Sequence, residues 1–321
     1  MVGECNIQHL KQIIKQSLFV FFQLEIVFLL VNFSSCSQHS KNRQQITTLT
    51  QELSAKERKE LTIFFHDLFA QNELGYSLFG DKPMSFCWPN TLSPRFSEKD
   101  YTFKVYVEGT VPLFKPLATW KNITQRLKIK NYLLIIEEQN KFPGFTVLIN
   151  KKAFEATFNK NQDLFRRAYS EEITAKKIID RLENDQDIWK EPLFQNDMLL
   201  GIMLGFGKHS AELFQRRCAL ECGIFNPPFL LQPTIPNSGF LSLDEELKYL
   251  RDHLQIYSKK NEWYTNTCPC LLRVTTVPFA HDPDDSEAQA LIKKYKKLHE
   301  KLVAIFDQDD WLETVITKLC N

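Results

Sequence analysis

The stretch NYLLIIEEQNKFPGFTVLINK, residues 131–151, decides the fold class. Two β-rich apolar runs, 131–139 and 144–151, flank the turn-forming NKFP, and that pattern predicts a hairpin. Outward in both directions the periodicity changes from two to about 3.6 residues. KAFEATFNKNQDLFRRAYS and EEITAKKIIDRLEN read as helices on the C-terminal side, and LATWKNITQRL (117–127) reads as one on the N-terminal side. YTFKVYVEG (101–109) alternates like a further strand, and LLRVTTVPF (271–279) adds another. The class that follows is α+β, mostly helical, with a small sheet built from the hairpin and one or two further strands.

The remaining elements are helical by the same test. Ser54 is an N-cap for AKERKELTIFFHDLFAQNEL, where Leu61, Phe64, Phe65 and Leu68 recur at helical spacing and Gly75 is the expected stop. Residues 76–100 carry prolines and no helical period, which predicts an ordered loop. One long helix is expected from about Asp197 to Cys222, then a proline-rich crossover (225–239). Helices are expected over LDEELKYLRDHLQIYSKK, 286–306 and 310–320. Residues 53–321 form a single α+β domain on this reading, with a helical C-terminal subdomain starting near 240 as an option within it.

Composition bounds the function classes. The chain has 321 residues, 43% of them hydrophobic, which is enough to bury a full core. Forty Lys plus Arg against 39 Asp plus Glu give a net charge of +1, so the chain as a whole has no electrostatic reason to seek nucleic acid. Twenty-six Phe with ten Gly and four Met point to aromatic-rich packing.

The N-terminal segment raises the question of location. Lys11 and Lys15 precede the apolar run Ser17–Val31, which ends in Phe33-Ser34-Ser35-Cys36 and turns abruptly polar at SQHSKNRQQITTLTQ (37–51). The run has the length of a signal-peptide core and is short for a bilayer span. Small residues directly before a cysteine match a bacterial lipoprotein signal, although Phe33 stands where leucine is usual and Gln23 and Glu25 interrupt the apolar run. The expectation is a signal peptide over 1–35, lipidation at Cys36 and a polar tether over 36–52. An uncleaved anchor helix and a buried first helix are the alternatives.

Eight cysteines permit several readings. With Cys5 removed and Cys36 lipidated, Cys87, Cys218, Cys222, Cys268, Cys270 and Cys320 remain, an even number suited to disulfides in an oxidising envelope. Zinc held by Cys218, Cys222, Cys268 and Cys270 fits the ligand count but not the familiar spacings. Buried thiols are the plain alternative. A thiol–disulfide role for Cys268 and Cys270 lacks the C-x-x-C spacing. No metal and no cofactor are expected.

Catalytic motifs fail in instructive ways. GIMLGFGKHS has five residues between Gly201 and Gly207 where a phosphate loop has four, and His209 where Ser or Thr would hold magnesium. HEKLV (299–303) lacks the second zinc-protease histidine, and no G-x-S-x-G elbow occurs. HDPDDSE (281–287) lacks the glycine of a calcium loop and fits a helix N-cap at Asp285 or Ser286. In the last long helix Leu291, Tyr295, Leu298, Leu302 and Ile305 form the apolar stripe, which turns most lysines of KKYKKLHEK to solvent.

One polar constellation survives. If 199–217 is one helix, Gly201, Gly205, His209, Glu212 and Arg216 share a face, and two glycines four apart imply something packed close against the backbone. His209, Glu212 and Arg216 then form either an acid–base group or a structural network. Asp81 and Lys82 in GYSLFGDKPMSF are further polar candidates for the same groove.

The stretches GYSLFGDKPMSF (75–86), KNYLLIIEE (130–138), VLINKKAF (147–154), LLGIMLGFGKHSAELFQRR (199–217) and SEAQALIKKYKKLHEKLVAIFDQDDWLE (286–313) resemble uncharacterised secreted proteins of chlamydia-like intracellular bacteria. That resemblance implies export and carries no activity, cofactor or catalytic residue. The functional expectation is an exported, lipid-anchored envelope protein that works through an unknown protein partner rather than by catalysis, with the membrane reached through its N-terminal lipid or anchor. A hydrolase using the His209/Glu212/Arg216 face is the alternative.

Overall fold

The computed structural model describes residues 46, 48, 50–87, 114–127, 129–139, 142–184, 187–225, 242–257, 274, 277 and 279–320. Leu53–Cys320 form one compact unit. Residues 1–52 fall in a second, of which 46, 48 and 50–52 are described and are helical, at the end of the expected tether. The signal segment, Cys36, the strand expected at 101–109, the crossover 225–239 apart from Phe225, and Cys268 and Cys270 lie outside the described residues.

The hairpin is present. Strand β2 (Tyr132–Gln139) pairs antiparallel with β3 (Phe142–Asn150), from Tyr132 opposite Asn150 to Gln139 opposite Phe142, with a register irregularity between Ile136 and Glu138. A third strand, β1 (Met84–Cys87), pairs on the other side of β3, giving the order β1-β3-β2. This corrects the expected loop over 76–100. Four residues of Met-Ser-Phe-Cys are too short to show a period, and their pairing with Thr146–Ile149 is what makes them a strand.

Alternation splits the sheet between two helical layers. Phe145, Val147 and Ile149 of β3, with Met84 of β1, face one core. There they meet Phe154 and Phe158 of α4 (Lys151–Lys160), Leu164 and Phe165 of α5 (Gln162–Ala168), and Ile178, Ile179 and Leu182 of α6 (Ala175–Asn184). On the opposite face Ser85 Oγ lies 2.8 Å from Ser77 Oγ, and the Tyr132 hydroxyl donates to the Leu78 carbonyl at 2.9 Å. Ser77 and Leu78 belong to a short helix, α2 (Leu74–Phe79). The expected helix from Ala55 therefore does not run to Gly75: α1 (Ala55–Phe65) passes into a π-helical turn, His66–Gln71, and Gly75 lies buried inside α2. Helix α3 (Phe114–Thr124) completes this layer, with Trp120 edge-on to Phe65 at 4.8 Å between ring centroids.

Two further corrections concern the C-terminal half. The expected helix over 197–222 is two, α8 (Asp197–Met203) and α9 (Lys208–Phe225), preceded by a short α7 (Pro192–Gln195). The expected helix over 243–260 stops as α10 (Leu243–His253), and Gln255–Tyr257 (β4) pairs antiparallel with Phe279–His281 (β5). Most of the strand expected at 271–279 lies outside the described residues; its last residue, Phe279, opens β5, which pairs with residues no local pattern points to. The last two helices, α11 (Ser286–Phe306) and α12 (Trp311–Cys320), match the sequence reading.

Candidate functional site

The break between α8 and α9 is built by glycine. Gly205 (φ +74°) and Gly207 (φ +85°) both adopt the left-handed backbone that side-chain-bearing residues rarely take. Gly205 N–H donates to the Ile202 carbonyl at 3.0 Å and Phe206 N–H to the Gly201 carbonyl at 3.1 Å, the paired bonds of a Schellman stop. Gly201 itself lies where α8 meets α9, and a β-carbon there would sit 3.0 Å from Ala211 Cβ. Both glycines were expected to admit a close neighbour within one helix, but their roles differ: Gly201 admits a neighbouring helix, while Gly205 turns the chain.

This turn caps a buried polar cluster. Tyr295 of α11 donates its hydroxyl to the Gly205 carbonyl at 2.7 Å, and burial pushes its phenol well above the ordinary range, with the nearby Asp81, Glu73 and Tyr76 adding to the shift. It is thus a fixed neutral donor. Beside it Tyr76 stands edge-on to the Tyr295 ring at 5.8 Å between centroids and contacts His299 Nδ1 through its hydroxyl at 3.0 Å. Lys82, with no solvent exposure, is ion-paired to Glu73 and lies 5.7 Å from the centre of the Phe206 ring. Phe206 stacks on Phe279 of β5 with ring centroids 5.5 Å apart. Lys82 therefore does meet the glycine turn, packing against Gly205, whereas its neighbour Asp81 pairs with Lys294 on the outside at 2.6 Å.

The three polar residues proposed from sequence do not converge. All lie on α9, but each turns to a different neighbour. His209, 47% exposed, has its Nε2 3.7 Å from Asp282. Glu212 is 3.8 Å from Lys208 of its own helix. Arg216 donates from Nε and Nη2 to the two oxygens of Glu246 on α10, each at 2.7 Å, and Glu246 has no solvent exposure. Near this pair, Glu221 accepts from both Arg251 and Arg217 at 3.1 Å, and those hydrogen bonds, Arg251 first, hold its carboxyl below the usual range. Leu220, Leu247, Leu250 and Leu254 form the small apolar core of the α9–α10 contact. The region is a helix–helix joint held by charge pairs and leucines.

Sequence reasoning missed Glu73, Tyr76 and His299. One signal was present: Tyr295 and His299 stand four apart on the apolar face of α11, where a polar ring needs a partner. Among the described residues no group of His, Cys, Asp and Glu is arranged to hold a metal ion. Cys222 lies within α9, four residues after Cys218.

Cys87 and Cys320 are buried free thiols. Burial pushes the Cys320 thiol up to about 11 and raises Cys87 further still, with the charges of Asp67 and Glu73 adding to the rise. Only the thiolate attacks an alkylating agent, and a raised pKa means less thiolate at any given pH below it. At pH 8 both thiols are therefore expected to alkylate only on unfolding; rapid labelling of either in native protein, read by peptide mass, contradicts the burial described.

Comparison with protein-family models, with curated proteins and with solved structures gives no match.

Proposed function

We propose that this chain is an exported, lipid-anchored protein that acts by binding another protein rather than by catalysis. The observation that carries the second half is the dispersal of the α9 polar residues. Arg216 is committed to Glu246, Glu212 lies toward Lys208 and His209 toward Asp282, so among the described residues these three do not assemble as an acid–base group. The deeper cluster supports the same reading, because Lys82 is paired with Glu73, Tyr76 with His299 and Tyr295 with the Gly205 carbonyl, beside the stacked rings of Phe206 and Phe279. The first half rests on the apolar run ending in Ser34-Ser35-Cys36 and on the resemblance to secreted proteins of chlamydia-like bacteria. Among the described residues no helix is long and apolar enough to cross a membrane, so on this reading attachment depends on the segment ending at Cys36.

The test is partitioning. Protein made in its own or a similar bacterium is expected to sediment with membranes and enter the detergent phase, and Cys36→Ala is expected to release it by blocking lipidation. An intact mass corresponding to an unmodified chain beginning at Met1, recovered from the soluble cytosol, sinks the proposal.

A further inference from the structure

The outward face of α11 is a lysine strip, and we infer that it lies against the anionic headgroups of the membrane to which the chain is tethered. It rests on the membrane attachment proposed above. Lys293, Lys297 and Lys301 follow one another at one-turn intervals, and all three are exposed. Lys296, also exposed, flanks the row on one side, and Lys294 flanks it on the other, paired with Asp81. The row spans about 12 Å. The opposite side of the helix is held in the fold by Tyr295, Leu298, His299 and Leu302, all buried, which keeps the lysines outward. Exposed Asp307, Asp309 and Asp310 follow the helix and end the strip.

The chemistry of this face favours a charged plane over the other occupants. A protein partner needs an apolar centre to its contact. Between Gln289 and Ala304 the exposed residues are lysine, glutamine, alanine and one glutamate, Glu300. Recognition of a discrete phosphate or a base edge favours arginine, whose planar fork makes two bonds at once, and α11 carries no arginine. Lysine is a point charge on a flexible apolar stem. A surface of anionic headgroups asks only for a density of such charges, and each lysine near it strengthens binding roughly fivefold. A tether at one end of the chain holds it to the bilayer and leaves its orientation open. Attraction of this size then suffices to set which face lies down.

The test is residue-specific labelling. The full chain is reconstituted on vesicles of phosphatidylcholine alone or with phosphatidylglycerol added, treated briefly with an amine-acetylating ester and read by peptide mass. Lys293, Lys296 and Lys297 are expected to label several-fold more slowly on the anionic vesicles, relative to exposed Lys176 of α6. Salt at about 1 M, where the screening length falls to about 3 Å, should remove the difference without any substitution. Lys293→Glu with Lys297→Glu, both exposed changes, should remove it for Lys296. Equal labelling on the two vesicles, with the chain bound to both, overturns the inference and leaves attachment standing. So does protection that survives salt and the double variant, and so does protection by a soluble acidic protein or nucleic acid but not by the vesicles. A chain that stays off both vesicles overturns the attachment as well.

Discussion

Gly205→Leu is expected to cost about 4 kcal/mol of stability and to lower Tm by roughly 10 °C in a unit of this size. Three effects add. A side-chain-bearing residue at φ +74° carries about 1 kcal/mol of backbone strain or somewhat more. The new β-carbon lands on the Tyr295 hydroxyl, with Lys82 Cγ at 3.4 Å and Pro83 Cδ at 3.5 Å behind it, so overpacking adds about 1–3 kcal/mol. Displacing Tyr295 also breaks its hydrogen bond to the Gly205 carbonyl, worth about 1 kcal/mol. His209→Ala is the control. That imidazole is half exposed and 3.7 Å from Asp282, so its removal is expected to stay within about 0.5 kcal/mol of the parent. Thermal denaturation of both variants beside the parent decides the matter. A Gly205→Leu protein as stable as the parent would show that the turn is not the packed junction described.

The difference between those two residues also measures what the sequence could convey. The hairpin was legible because its two apolar runs are local and the turn lies between them. The α11 and α12 boundaries were legible because Asp285 accepts from the Glu287 and Ala288 N–H groups as a cap should, and because the apolar stripe keeps one period throughout. The α8–α9 break was not. Leu199, Met203, Phe206 and Leu213 maintain a helical period straight across it, and Gly-Phe-Gly reads equally as a tolerated interruption or a stop. What selects the stop is nonlocal: Phe206 stacks on Phe279, Tyr295 holds the Gly205 carbonyl, and Glu287 of α11 accepts the Lys208 N–H at 3.2 Å. Strands β1 and β4 were hidden for the same reason, since three or four residues have no period and only their partners define them, and of β5 the sequence pointed only to Phe279. The buried cluster joins Glu73 and Lys82 to Tyr295 and His299 across most of the chain. Sequence offered Lys82 only as a candidate, with no means of placing it against Gly205.

Arg216→Ala is the second large effect, and it separates a structural arginine from a functional one. Glu246 has no solvent exposure and both its oxygens accept from Arg216 at 2.7 Å, so truncating the arginine leaves a buried carboxylate without its counter-ion. Losing one partner of such a pair typically costs about 3–5 kcal/mol, far more than the net worth of the pair, because the desolvated charge remains. Arg216→Lys should recover only part of this, since an ammonium cannot reproduce the planar two-pronged contact. Arg216→Met with Glu246→Leu should return close to the parent stability, because both charges are gone and Leu220, Leu247 and Leu250 supply an apolar surround. The expected order in urea unfolding is parent and double variant together, then Arg216→Lys, then Arg216→Ala. If Arg216→Ala instead unfolds within about 1 kcal/mol of the parent, Glu246 must be finding water or another cation, and the α9–α10 joint is looser than the described geometry. That outcome would also free the guanidinium for a ligand, the one circumstance in which the α9 face regains its claim to be a site.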